Sequence, residues 1–404
     1  MARIAHLPAS FLFFALAIII YALLGSPTPD DPGLVEIAVA VLLVLAVGTG
    51  GLRGVIDMRL ERTVFLKTLQ ILFLCGLLLP TVSAVYYGND LMLVARDLAA
   101  FAFIGLPLFL SEKYAMNDRV SRLLPYLAVF AGIAFALRTL IPAFNIWIPQ
   151  DELLYLSNSP LALFAGVFLA GTLWNALSAP SRKNVLLSVL CLAGLAILVA
   201  AMLLDVQRAT IAAIFVTIII LALFSLVKVP RRAALPIVIL LSLAVLLYPL
   251  FSETAQVIAE KTAAVGLNMR SQEALAVFNA LAAEPESLFI GRGWGSVFSS
   301  PAVAGLDVNY THSFLTTMAL KGGLIMLGLA ILAVLAALYE IFLIFQRDRV
   351  QGLSLFWPLV IPVLLYASHK SLDFGVILLL IGVWSTRLQA LRPAAPSVKT
   401  KDNL

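Results

Sequence analysis

Apolar runs long enough to cross a hydrocarbon core recur along almost the whole chain, and this recurrence restricts its fold more than any other feature. A bilayer core takes about 20 consecutive apolar residues of helix. The sequence offers twelve such segments, at 9–25, 34–51, 64–86, 91–110, 123–142, 160–178, 185–204, 209–227, 233–251, 314–346, 353–367 and 374–391. In lipid the backbone of such a run satisfies its own hydrogen bonds as helix. The expected fold is therefore all-α, a polytopic integral membrane bundle. Composition agrees: 62% of residues are hydrophobic and 12% charged, whereas a soluble chain carries about 25% charge. Arg3 precedes the first run, Ala9 to Gly25, which is too long for the h-region of a cleavable leader and reads as the first membrane helix. Cys75 and Cys191 both fall inside apolar runs and read as small core residues.

The net charge of +5 carries no argument for nucleic acid, because the basic residues sit in short loops where they set orientation. Arg53, Arg59 and Arg62, then Lys113, Arg119 and Arg122, then Arg182 and Lys183, then Lys228, Arg231 and Arg232, and finally Arg347, Arg349 and Arg392 fall on one side. The alternate loops, such as 26–33 and 86–90, have none. The positive-inside rule then puts both termini in the cytoplasm and the long polar interruption between 252 and 312 outside.

Basic residues expected on the outer side need a reason to be there. They are Arg138, Arg208, Lys261, Arg270, Arg292, Lys321 and Lys370. Arg208 stands between two apolar runs with almost no loop around it; it reads either as a partner of Asp205 or as a fixed cation for an anionic headgroup. A guanidinium suits the second role because its planar fork bonds two phosphate oxygens at once. Two of the three histidines, His312 and His369, also fall on the outer side, while His6 lies in the N-terminal segment. An imidazole titrates near neutral pH and can take a proton from a hydroxyl. No HExxH and no Cys/His cluster occurs, no Asp-x-Asp lies in an outer loop, and Asp30-Asp31 sits in a Pro-rich turn; no metal or other cofactor is expected. The glycines of Gly291-Arg292-Gly293-Trp294-Gly295 predict a tight turn through which backbone approaches a substrate, with Trp294 offering a face to a sugar ring. Arg96-Asp97 is the clearest charge cluster within a predicted span.

These residues resemble the O-antigen ligase and polymerase superfamily. Arg270-Ser271-Gln272-Glu273-Ala274-Leu275, then Ala283-Glu284-Pro285 and Ile290–Gly295, are similar to its central loop, in which an arginine opens a helix and a glycine turn follows. His312-Ser313, ten residues before Gly323, is similar to its His-Asn/Ser/Gln…Gly signature, and Gln207-Arg208-Ala209 to its Arg-Gly/Ala motif. The pattern departs at Pro285, displaced from the glycine turn, at Met326 and at Ser313. The resemblance implies a GT-C-like fold of about twelve spans in the bacterial inner membrane. It divides the chain into helices 1–9 over 1–251, a periplasmic catalytic loop over 252–313, helices 10–12 over 314–391 and a cytoplasmic tail over 392–404. It implies metal-independent, inverting transfer of O-antigen polysaccharide from undecaprenyl diphosphate to lipid A-core, with His312 as general base and Arg208 and Arg270 on the diphosphate. Arg292, Trp294, Arg138, Lys370 and His369 are further candidate substrate contacts. Modest length points to the ligase over protein O-glycosylating relatives. A polymerase of the same superfamily is the alternative, and a polytopic transporter or lipid flippase the alternative of another class.

Overall fold

The structure, a computed structural model, describes residues 7–26, 33–57, 62–145, 154–179, 181–231, 233–240, 242 and 269–391. Arg3, His6, Asp30, Asp31, Arg59, Arg232, Lys261, most of the ninth predicted span and the tail from 392 lie outside the described residues.

The chain is an all-α polytopic membrane protein. Its helices are α1 (Ala9–Leu24), α2 (Leu34–Ile56), α3 (Val64–Tyr87), α4 (Leu91–Ile104), α5 (Leu106–Ala115), α6 (Asp118–Leu140), α7 (Leu154–Ser157), α8 (Pro160–Ser178), α9 (Arg182–Leu204), α10 (Arg208–Lys228), α11 (Arg270–Ala282), α12 (Pro285–Ile290), α13 (Phe314–Arg347), α14 (Arg349–Leu364) and α15 (Leu372–Ala390). Among the described residues, eight helical stretches are long and apolar enough to cross a membrane, with α4 and α5 counted as one, and α1, α14 and the first part of α2 are shorter apolar helices. α15 is buried along most of its length and forms the centre of the bundle, whereas α9 and α10 turn two thirds of their residues outward. The outward residues of α9, among them Val185, Leu186, Val189 and Leu190, are exposed and apolar, as lipid-facing side chains are.

Two helices are broken where the site is built. α3 carries Pro80, which cannot donate to the carbonyl of Gly76. α13 is interrupted at Gly322 and Gly323, the latter at φ +63°, so the carbonyls of Leu320 and Lys321 lose their partners four residues on. Both breaks are satisfied by the polar segment between α11 and α13, which also carries a short antiparallel hairpin, β1 (Phe298–Ser300) with β2 (Leu306–Val308). Val277 and Leu281 of α11, Phe298 of β1 and Leu320 of α13 form a small core of their own beneath this segment.

Candidate functional site

The turn Gly291–Gly295 is a plug between the two broken helices. The Arg292 and Gly293 N–H groups donate to the freed carbonyls of Leu320 and Lys321, each at 2.9 Å, and the Trp294 N–H donates to Pro80 at 3.1 Å. The indole Nε1–H of Trp294 donates at 3.0 Å to Gly76, the carbonyl that Pro80 leaves open. Asn89 Nδ2 donates to the carbonyls of Arg292 and Trp294, each at 2.8 Å. Only glycine fits here. Gly291, Gly293 and Gly295 all have φ between +74° and +82°, and a Cβ on Gly293 would stand 2.2 Å from the backbone nitrogen of Ala84. The turn therefore approaches the protein's own backbone, not a substrate. Trp294 is 2% exposed and packs on Phe101 with ring centroids 4.9 Å apart, so it offers no face to a sugar.

Next to the plug, Asp97 sits in the second turn of α4, toward the end of its span. It is buried and receives Lys321 Nζ at 2.7 Å, Lys370 Nζ at 3.3 Å and the Gly295 N–H at 2.8 Å. Lys321 also donates to the Ser296 carbonyl at 2.9 Å. Three long-range partners thus converge on one carboxylate, which locks the plug to α4, α13 and the turn before α15. Burial lowers the pKa of Lys370 and Asp97 raises it in part.

Beyond the plug lies the pair that sequence reasoning passed over. α11 presents Glu273, Val277 and Leu281 at i, i+4 and i+8, one stripe of a helix, and all three are buried. Glu273 Oε1 accepts from His312 Nδ1 at 2.9 Å and from Ser300 Oγ at 3.1 Å, and Oε2 accepts from the His312 backbone N–H at 3.1 Å. Burial pushes this carboxyl up, but the hydrogen bonds and charge of His312 outweigh it and hold the acid below its ordinary value. An ionised carboxylate only accepts, so Nδ1 donates to it, and in the neutral form of the ring Nε2 holds the lone pair. The His312 side chain is 20% exposed and that of Arg270 22%, against 2% for Glu273.

Arg270 opens α11 and lies 4.0 Å from Glu273 Oε2. Burial lowers its pKa, while Glu273 and then Tyr366 and Tyr310 raise it. Tyr366, just past α14, is raised by burial and lowered by the charges of both Arg208 and Arg270. The two guanidiniums therefore act on one phenol. Tyr310 meets the His312 ring edge-on at 5.6 Å and lies under the Lys370 ammonium at 5.6 Å. Arg270, Glu273 and His312 thus form one connected cluster, and the charges of Arg208 and Arg270 both act on the Tyr366 phenol.

Both arginines occupy the first position of a helix, where the backbone dipole disfavours a cation and favours an anion. A non-glycine residue in the left-handed region stands shortly before each: Val206 at φ 54°, two residues before Arg208, and Met269 at φ 52°, directly before Arg270. For a β-branched valine that conformation is an outlier. Two strained entries that each place a guanidinium at a helix N-terminus make a local field suited to a polyanion.

Arg138, His369 and Lys370 are held within the scaffold. Arg138 is 3% exposed, and its guanidinium donates to Asn145 and to the Ala22 and Gly25 carbonyls that close α1. It ties helix ends together. His369 is 2% exposed, held by Thr317 Oγ1 at 3.0 Å and facing the Tyr366 carbonyl at 3.4 Å. Burial first, then the Lys370 cation, push its pKa down to about 3. Lys370 belongs to the Asp97 network. Arg292 is half-buried and its backbone belongs to the plug. Glu273 and Tyr366 were missed. For Glu273 the signal was present, as a carboxylate on the apolar stripe of Val277 and Leu281; for Tyr366 there was none.

No protein-family model matches the chain, and no curated protein matches it.

Proposed function

We propose that the chain is a glycosyltransferase that takes a glycan from a polyprenyl diphosphate, and that it acts as an O-antigen ligase. The observation that carries the reading is the cluster of Arg270, Glu273 and His312, with the charges of Arg208 and Arg270 both acting on Tyr366. It combines a base with a fixed tautomer and two permanent cations at helix N-termini, the chemistry that displacement of a diphosphate requires. In this reading an acceptor-sugar hydroxyl attacks the anomeric carbon as His312 Nε2 takes its proton. The bond from that carbon to the diphosphate oxygen breaks with inversion. The electron pair leaves on the diphosphate, where Arg208 and Arg270 stabilise the growing charge. A preorganised donor on a developing anion supplies about 2.7–4 kcal/mol in comparable sites. The wider proposal is a GT-C-like bundle of about twelve spans in the bacterial inner membrane, with cytoplasmic termini and the cluster facing the periplasm. Undecaprenyl-diphosphate-linked glycan is its donor and lipid A-core its acceptor; no cofactor is invoked.

The test is purified protein incubated with lipid-linked glycan, with and without lipid A-core. Product only with lipid A-core supports the ligase. Chain lengthening without it makes the protein the polymerase of the same resemblance. A flippase predicts neither product, and its transport would survive His312→Ala, a change that should abolish transfer while the donor still binds.

A further inference from the structure

At the end of α13 opposite His312, beyond the break at Gly322 and Gly323, lies a second site of different chemistry. It is a cavity of about 320 Å³ between α6, α8, α13 and α15. Its walls divide by character. Tyr126, Phe168, Ile344 and Trp384 supply apolar surface, and Arg122, Arg347 and Arg387 supply three guanidiniums. Among the described residues Asp348 is the one carboxylate in the lining, and it is committed to the start of α14, where it accepts from the Gln351 N–H at 3.1 Å. Arg387 meets Asp118, just outside the lining, at 2.9 Å and also bonds Ser121, while Arg122 Nε donates to the Asp118 carbonyl at 3.1 Å. Three guanidiniums against the carboxylates of Asp348 and Asp118 leave one positive charge in excess. Among the described residues no carboxylate lies within ion-pairing distance of Arg347.

We propose that this cavity holds an anionic phospholipid, its phosphodiester among Arg122, Arg347 and Arg387 and its proximal acyl chain against Tyr126, Phe168 and Trp384. The excess of one charge matches one phosphodiester without an ammonium of its own, which a zwitterionic headgroup would bring. The apolar wall has no use for a free phosphate but suits an acyl chain. The cavity also lies at the ends of two long apolar helices, α6 and α15, and at the C-terminal end of α13, the level at which headgroups sit, and it reaches Phe168 midway along α8. The proposal does not depend on the chemistry of the His312 cluster.

The test follows thermal unfolding of the full chain in detergent by intrinsic fluorescence. Phosphatidylglycerol, phosphatidylcholine of the same acyl composition and inorganic phosphate are titrated separately. Phosphatidylglycerol should raise the melting temperature and the other two should not. In Arg122→Gln/Arg347→Gln the half-maximal concentration should rise about thirty-fold, from about 1 kcal/mol per basic residue near the membrane surface, or roughly five-fold for each arginine. Arg387 is left in place because it ties α15 to α6. An equal response of wild type and double variant, or an equal effect of phosphatidylcholine, overturns the proposal. A full response to inorganic phosphate overturns it in favour of a bare anion site. If the double variant does not fold, phosphatidylglycerol with a photoreactive acyl chain should label wild-type peptides containing Tyr126 or Phe168. Labelling confined to other helices overturns the proposal equally.

Discussion

A carboxylate that accepts from one nitrogen of an imidazole decides which nitrogen of that ring can take a proton. In this chain Glu273 makes that choice for His312, and it does so from a buried position where three donors hold it. Glu273→Gln keeps the shape but turns an amide N–H₂ or a weaker carbonyl toward Nδ1, so the ring proton is no longer confined there. Turnover on a polyprenyl-diphosphate glycan should fall by on the order of 10²–10⁴, the range of a lost general base, with donor binding little changed. Nitrogen NMR of the labelled ring reads the tautomer independently of activity. A shifted tautomer with undiminished turnover would remove His312 from the role of base. The second described histidine behaves differently. His369 is kept neutral in the fold down to about pH 3, whereas an unfolded chain protonates near 6.5. Above that value neither state binds a proton and stability is unaffected. Below it the unfolded state takes up a proton that the fold refuses, so stability drops by up to about 1.4 kcal/mol per pH unit. Melting temperatures between pH 6.5 and 4.5 should decline in wild type and decline less in His369→Gln. Glu273 has the opposite partner logic but the same sign. Its depressed value keeps its contribution intact above ordinary carboxylate pKa values, about 4.3, so it falls away only at more acidic pH. Equal slopes in the two proteins would show that His369 is not the group excluded from protonation.

Two broken helices are more informative than any intact one. A proline in a helix interior normally costs about 3 kcal/mol, in part because it opens a carbonyl. Here the open carbonyl of Gly76 receives the indole of Trp294, and the break in α13 receives two backbone donors from the same turn. The breaks and the plug therefore depend on each other. Trp294→Phe should lower stability by about 1–3 kcal/mol through the unfilled carbonyl, plus the cost of lost ring volume. Pro80→Ala gives Gly76 an internal donor, so in that background the unfilled-carbonyl part of the Trp294→Phe penalty should vanish while the volume part persists. A thermal double-mutant cycle should show coupling of at least about 0.5 kcal/mol. Strict additivity would mean that the indole hydrogen bond does not compensate for the proline. This dependence also explains why the glycine turn was misread as a substrate loop. Its glycines are demanded by close approach, as expected, but what approaches is α3 and the α13 break, more than two hundred and about thirty residues away.

At the scale of the whole molecule, the spans were legible because hydropathy is a local property. Eleven of the twelve predicted segments coincide with apolar helices to within a few residues, while most of the segment at 233–251 lies outside the described residues. The cluster was legible only in part. Arg208, Arg270 and His312 stand out as charged or titratable residues in an apolar chain. Tyr366 is one phenol among ten tyrosines, and its exposure to the charges of Arg208 and Arg270 is set by how α14 ends. Arg138 and Trp294 stood out for the same chemical reasons but are used in packing, since composition cannot distinguish a cation that caps a helix from one that awaits a ligand. Sidedness is the remaining global property, and helix direction makes it testable. α13 begins at the His312 cluster and ends at Arg347, so one crossing puts Leu306 and Gln389 on opposite faces of the membrane. Both residues are exposed. In a background with Cys75 and Cys191 replaced by Ala, Leu306→Cys should react with an impermeant maleimide added to intact spheroplasts, and Gln389→Cys only after permeabilisation. The asymmetry of basic residues requires that order. Reaction of both without permeabilisation would mean that α13 does not cross. The reverse order would put the His312 cluster in the cytoplasm, where a glycan on the outer leaflet cannot reach it.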